Sequence, residues 1–240
     1  MKPGRGPATR VPIPKVPVNA DALGTQFSPA LLAYGPDDVP ALSQLLENER
    51  HAKAWVPATM ALGFVGSRDA STTLVDLLER RFAGRVIEED IFSALLRTPA
   101  CIGLAAQKDD AAYDYLKKGT DPAIWENRID WTCPQLTKPQ VIFNMVEETI
   151  QAVGASGRPD AAAFIASLVK AKPREYLAPH RGAFVQAVFY LDWIQRHGLE
   201  DFRANLFTDA HRTRWQQWKL TERGREWQTW ASALRQPHNQ

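Results

Sequence analysis

From residue 38 to residue 235, apolar side chains recur every three or four positions, the period of a helix. Nowhere do they alternate with polar ones as a half-buried strand requires. This spacing predicts helices over about 38–47, 52–65, 69–83, 88–106, 109–118, 139–154, 160–171, 178–197, 199–207 and 222–235. Pro57 and Pro99 fall inside two of them, where a ring lacking an N–H is expected to kink or break the helix. The chain is expected to be all-α.

The pattern repeats. Ala61-Leu62-Gly63-Phe64-Val65-Gly66-Ser67-Arg68-Asp69-Ala70 is followed by Leu74-Val75 and Leu77-Leu78. Cys101-Ile102-Gly103-Leu104-Ala105-Ala106-Gln107-Lys108-Asp109-Asp110-Ala111 is followed by Tyr115-Leu116. Ala152-Val153-Gly154-Ala155-Ser156-Gly157-Arg158-Pro159-Asp160-Ala161 is followed by Phe164-Ile165 and Leu168-Val169. A truncated copy opens the set at Gly35-Pro36-Asp37-Asp38. In each, an apolar helix ends in small residues, where two helices approach closely or the chain turns. Asp38, Asp69, Asp109 or Asp160 then stands where an N-cap is expected to accept from the free amides of a second helix. Successive Asp positions are 31, 40 and 51 residues apart, so the hairpins are unequal.

Over roughly residues 30–172 this pattern resembles the HEAT-like repeats of phycobilisome-lyase type, where an A-L-G-x-x-G-D-x-x-A signature joins two antiparallel helices. The second copy departs from it, with Ala106 in place of the second glycine. The resemblance implies a short right-handed α-solenoid of stacked hairpins, since such units bury their apolar faces only against one another. Three regions are expected: a Pro-rich basic arm over 1–28, the array over 29–175, and a helical C-terminal cap over 176–240.

Two stretches fall outside the repeat. Gly119 to Gln140 holds Trp125, Trp131 and several prolines, and so long an irregular connection is either functional or packed over a groove. Beyond Ala178 the signature fades into an apolar helix ending at Arg196-His197-Gly198, followed by Trp215, Trp218, Trp227 and Trp230. A tryptophan-rich terminal unit is what an array needs to cover its last apolar face.

Composition adds little: 45% hydrophobic and 23% charged is ordinary for a globular chain, and no run of about 18 apolar residues suggests a membrane span. Charge is more informative by region than in total. Residues 1–20 carry +4 and residues 201–240 carry +3, so a total of +2 puts −5 on the body between them. The N-terminus has no apolar core of a signal peptide and reads as a mobile arm, which points to the cytoplasm; a chain already stripped of its signal would read alike. Cys101 and Cys133 are too few for a disulfide framework, and Cys101 reads as a small buried hydrophobe. A bridge between them needs a geometry that spacing does not supply.

No catalytic, cofactor or metal site is expected. His51, His180, His197, His211 and His238 lack the spacing of a zinc site, and Gly63-Phe64-Val65-Gly66 lacks the strand and the Lys-Ser/Thr of a phosphate loop. No nucleophile elbow is present. Glu88, Glu89 and Asp90 open a helix, and Glu147 and Glu148 diverge by about 100° around theirs; both groups read as a solvated face. Partner contacts are assigned to Gln44, Glu47, Asp76, Arg80, Tyr113 and Lys117 on the second helices, with Trp125 and Trp131 of the insertion. The tail residues Arg212, Arg214, Trp215, Trp218 and Lys219 interleave cations with rings, a mixture that contacts phosphates and stacks bases. The same mixture suits a cap, with rings inward and Arg stems over them, and that reading is the stronger.

The mixed charge of the second helices favours a protein partner over nucleic acid on that face. The leading expectation is a non-catalytic interaction module: an adaptor, an assembly factor or a partner-specific inhibitor. The alternatives are a nucleic-acid-associated protein, including a DNA glycosylase-like enzyme, and a chromophore-lyase-like enzyme. These rest on the resemblance and on the basic ends.

Overall fold

The computed structural model describes residues 30–206 and 208–235; the expected arm over 1–28 lies outside them. Twelve α-helices lie wholly within the described residues. They are α1 (Val39–Glu47), α2 (Trp55–Val65), α3 (Arg68–Glu79), α4 (Glu89–Ala105), α5 (Asp110–Gly119), α6 (Pro122–Arg128), α7 (Lys138–Ala155), α8 (Ala161–Ala171), α9 (Arg174–His197), α10 (Leu199–Asn205), α11 (Asp209–Lys219) and α12 (Glu222–Ala233). The described chain holds no β-strand, only an isolated parallel bridge between Val86 and Thr132. None of these helices is long and apolar enough to cross a membrane.

The first helices of the hairpins are neighbours in order: α2 packs on α4, α4 on α7, and α7 on α9. The helices α1, α3 and α5 also meet in order, α1 touching α3 and α3 touching α5. Burial follows this division. In α2 every residue from Pro57 to Phe64 is buried, as expected of a helix apolar all round. In α3 only Ala70, Ser71, Leu74, Leu77 and Leu78 are buried, the stripe of an amphipathic helix.

The first glycine of each repeat is a helix crossing. A Cβ on Gly63 would lie 3.0 Å from the Cα of Cys101, one on Gly103 would lie 2.4 Å from the carbonyl oxygen of Ala152, and one on Gly154 would lie 2.4 Å from that of Ala187. Cys101 and Ala152 are themselves the opening residues of the next copies. Each copy therefore presses its glycine against the first residue of the copy that follows. Ala187-Val188-Phe189 continues the register into α9, with Phe189 at the glycine position. The second glycine is the turn: Gly66 and Gly157 have φ of +66° and +62°. Where Ala106 replaces it, φ is −79° and the chain instead forms a 3-10 turn over Ala106–Lys108.

The capping expectation needs correction at three of four positions. Asp109 does cap α5, accepting from the amides of Ala111 and Ala112 at 3.1 and 3.3 Å, and it also accepts from the Ser71 hydroxyl. Ser67, not Asp69, caps α3, because its oxygen reaches the Ala70 amide at 3.2 Å while Asp69 sits inside the first turn. Asp160 precedes α8 without a side-chain cap bond. Asp38 turns back to accept from the Gly35 amide at 2.8 Å.

The two prolines differ in their effect. Pro57 is the third residue of α2, where its missing N–H is one of the unpaired four. The residues before it form a 3-10 stretch, Glu49–Ala54. Pro99 does not end α4, which runs on to Ala105. Periodicity missed α6 and α11. Both are started by local caps: Asp121 and Thr208 accept from the amides of Ala123 and Ala210 at 3.0 and 3.2 Å.

The insertion packs against the link between α3 and α4. The amides of Ile87 and Thr132 donate to the carbonyls of Thr132 and Arg85 at 2.9 and 3.0 Å, and the Gly84 amide donates to the Asp130 carbonyl at 2.6 Å. Arg128 pairs with Glu79 at 2.9 Å and lies over the Tyr115 ring at 4.4 Å. One hydrophobic cluster extends from Leu31 to Trp218.

At the C-terminal end, rings gather around Phe189. The centroids of Trp193, Trp215, Trp218 and His211 lie 5.5, 5.0, 5.6 and 5.7 Å from its own. The Trp218 indole N–H donates to the buried carboxylate of Asp192 at 2.7 Å, and Arg223 pairs with the same group at 3.3 Å.

Candidate functional site

The residues expected on a partner surface divide in two. Gln44, Glu47 and Asp76 are exposed on α1 and α3. Arg80 is half-buried, donating to the Leu46 carbonyl at 2.6 Å beneath the Trp55 ring, and Lys117 pairs with Asp114 at 2.7 Å. Tyr113, Trp125 and Trp131 belong to the core, at 1%, 2% and 7% exposure. The Trp125 indole donates to the Gly119 carbonyl at 2.7 Å and Trp131 meets the Phe92 ring edge-on at 6.1 Å, so packing has claimed the surfaces that a partner would need.

The basic-aromatic tail is also largely engaged. Arg214 pairs with Asp201 at 2.9 Å and lies over Trp193, Trp218 is buried, and Trp215 stacks on Trp218 at 5.4 Å and 16°. Lys219 lies 5.7 Å over Trp215, and Arg212 is exposed.

An enclosed concavity lies where sequence reading placed no site. A cavity of about 340 Å³ opens between α2, α4, α7 and α9, closed at one side by Leu206 after α10. Its walls are Met60, Leu96, Ala100, Leu104, Ala155 and Leu206, and Cys101 and Ala152, the receiving residues of the glycine crossings, form part of it. Arg97, Glu148, Gln151, Ser93 and Tyr190 converge on it. An apolar pocket of this size with a few polar groups is the usual form of a small-ligand site.

Burial governs its chemistry. It raises the Glu148 carboxyl to about 7, with Glu147 adding to the effect and Arg97 opposing it. Burial also pushes the Cys101 thiol up to about 12, so at neutral pH it is a thiol and not a nucleophilic thiolate. Tyr190 rises to about 12 for the same reason, with Gln186 hydrogen bonding opposing. Thus Glu147 and Glu148 do not share a solvated face. Glu148 reaches into the cavity, and Glu147 lies on a neighbouring cleft with Arg181.

One signal in the sequence locates the pair. Arg97 and Glu148 each stand one helical turn before a receiving residue, Cys101 and Ala152, on adjacent first helices. Among the described residues no group of three or more His, Cys, Asp or Glu side chains is placed to hold a metal ion. Cys101 and Cys133 are both buried free thiols. Compared with protein-family models, with curated proteins and with solved structures, the chain matches none.

Proposed function

We propose that the chain is a HEAT-like array of helical hairpins, closed by a tryptophan-rich C-terminal unit, that binds a protein partner without catalysing a reaction. The carrying observation is the constant register of the crossings Gly63–Cys101, Gly103–Ala152 and Gly154–Ala187. A repeated crossing supports stacking of equivalent units, and stacked units present one row of second helices as an extended surface. Phe189 supports the closing role of the C-terminal unit. It stands at the glycine position of the last first-helix, where a ring excludes another close crossing and collects Trp215 and Trp218 instead.

The proposed docking surface is the exposed row on α1 and α3, centred on Gln44, Glu47 and Asp76. Its mixed polar character suits the rim of a non-obligate protein interface. The test is affinity capture with the full chain from its own cells, beside a Gln44→Ala, Glu47→Lys, Asp76→Lys variant of unchanged thermal stability. A partner held in stoichiometric amount by the wild type and lost by the variant is expected. Capture unchanged by the variant overturns this docking surface. Retention on a duplex oligonucleotide that falls steeply with salt, and disappears in an Arg212→Ala, Arg214→Ala, Lys219→Ala variant, replaces it with nucleic-acid binding.

A further inference from the structure

The cavity between α2, α4, α7 and α9 presents an unmatched pair of requirements. Its walls are mostly aliphatic, while its polar groups are the Arg97 guanidinium and the Glu148 carboxyl, with the uncharged Ser93, Gln151 and Tyr190 beside them. Arg97 is exposed at the mouth and acts electrostatically on Glu148 and Cys101, and no ion pair or hydrogen bond ties its side chain among the described residues. Glu148 is half-buried on the facing helix. A ligand that satisfies both must bring acceptors to Arg97 and to Glu148, and hydrocarbon to Met60, Leu96, Leu104 and Leu206.

We infer that this cavity binds a compact aliphatic monocarboxylate. Its carboxylate pairs with the Arg97 guanidinium and accepts a hydrogen bond from the Glu148 carboxyl, while its hydrocarbon lies among Met60, Leu96, Leu104 and Leu206. Charge selects this class. An amine would face the unpaired Arg97 cation, and an alcohol would leave the guanidinium without an anion, forgoing the charge-assisted bond that is the strongest available there. Size selects compactness, since about 340 Å³ is near the lower end of small-ligand sites, roughly 300–1,000 Å³. The site is separate from the docking row on α1 and α3, and either can fail without the other.

Two carboxyl groups side by side hold one proton between them. Binding therefore requires Glu148 in its protonated form, and affinity falls as pH rises past the range in which Glu148 ionises. Burial sets that range first, with Arg97 on α4 opposing it and Glu147 on the same helix adding to it; Cys101 on α4 and Tyr190 on α9 face the group too, and Glu148 helps push both of them up. Met60 on α2 and Leu206 beyond α10 add no charge.

The experiment is calorimetric titration of the full chain with sodium octanoate, octylamine and 1-octanol at about pH 6 and about pH 8.5. Octanoate is expected to bind at least tenfold more tightly than either comparator at pH 6, and at least tenfold more weakly at pH 8.5. Arg97→Gln, at an exposed position, is expected to cost at least tenfold. Glu148→Gln, whose amide donates at any pH, is expected to bind octanoate equally at both pH values. Ala100→Trp is expected to fill the cavity and abolish binding, with its thermal transition confirming the fold. Octylamine or octanol binding as tightly as octanoate overturns the proposal, as does octanoate affinity unchanged in Arg97→Gln. No heat from any of the three ligands overturns it too.

Discussion

Gly103 and Ala152 meet backbone to backbone: a Cβ on Gly103 would stand 2.4 Å from the Ala152 carbonyl oxygen and 2.9 Å from its Cα. Because the obstacle is main chain, no rotamer change relieves it. α4 and α7 would have to separate, and the neighbouring crossings at Gly63 and Gly154 would be strained with them. Gly103→Ala is expected to destabilise the chain by about 2 kcal/mol or more, the upper range of overpacking. Gly182, in α9, has nothing within 4 Å of an added Cβ. Gly182→Ala is therefore expected to stabilise by about 0.5–1 kcal/mol, through helix propensity alone. Urea unfolding of the two variants checks the contrast, and equal midpoints would dismiss the crossing as a structural constraint.

Asp109 does more than cap. Besides two amides of α5 it accepts from Ser71 of α3, and it is 8% exposed, so it ties two hairpins together. Asp109→Ala removes the cap and the tie to Ser71, whose hydroxyl keeps the Arg68 carbonyl at 2.9 Å as an acceptor, an expected loss of about 1–2 kcal/mol. Asp160→Ala, at the equivalent place without a cap bond, is expected to change stability by less than about 0.5 kcal/mol. Chemical denaturation midpoints for the pair decide whether the shared Asp signature has one role or two.

Two groups shifted by burial give stability opposing pH dependences. His180 is stacked on Phe143 at 4.7 Å and flanked by Tyr176, and burial lowers it to about 4. Between that value and the unfolded 6.5 the unfolded chain binds more protons, so stability rises with pH across this window. Glu148 is raised to about 7, so between 4.5 and 7 the folded chain binds more protons and stability falls as pH rises. In the wild type the two slopes oppose each other over the shared range. Relative to the wild type, His180→Phe is expected to tilt the profile downward with rising pH between about 4 and 6.5, and Glu148→Gln to tilt it upward between 4.5 and 7, while His211, lowered by burial, and Glu147, raised by it, keep their own contributions in both variants. Thermal melts across that interval show the two signs; parallel profiles would refute the assignment.

Asp192 is a buried carboxylate, 3% exposed, held by the Trp218 indole at 2.7 Å and by Arg223 at 3.3 Å. Trp218→Phe keeps a ring against Phe189 but removes the donor, with an expected loss of about 1–3 kcal/mol. Adding Asp192→Asn to that variant is expected to recover part of it, because a neutral amide is easier to bury than a carboxylate short of one partner. Differential scanning calorimetry of the single and double variants measures the recovery. Its absence would place the loss in ring packing alone.

Most of the helices and the recurring glycines were legible in the chain because both follow local rules. A period of 3.6 marks a helix wherever one face is buried, and Gly63, Gly103 and Gly154 recur in similar apolar surroundings because each must meet the same kind of neighbour. Two helices escaped: α6 is short, and α11 buries only Trp218, so both show their caps, Asp121 and Thr208, more than any apolar stripe. Which Asp would cap was equally beyond local reading, since Asp109 is fixed by Ser71, 38 residues away.

Burial of individual side chains was decided in three dimensions. Tyr113, Trp125 and Trp131 look like contact residues in one dimension and are core in three, because α5 and the insertion fold over the α3–α4 link. Conversely, Arg97 and Glu148 look like ordinary surface charges, 51 residues apart. They share a cavity because the glycine crossings bring α4 and α7 together at Gly103 and Ala152. Periodicity reports which face of a helix is covered; it carries no information on what covers it, and the chemistry of this chain depends on that pairing.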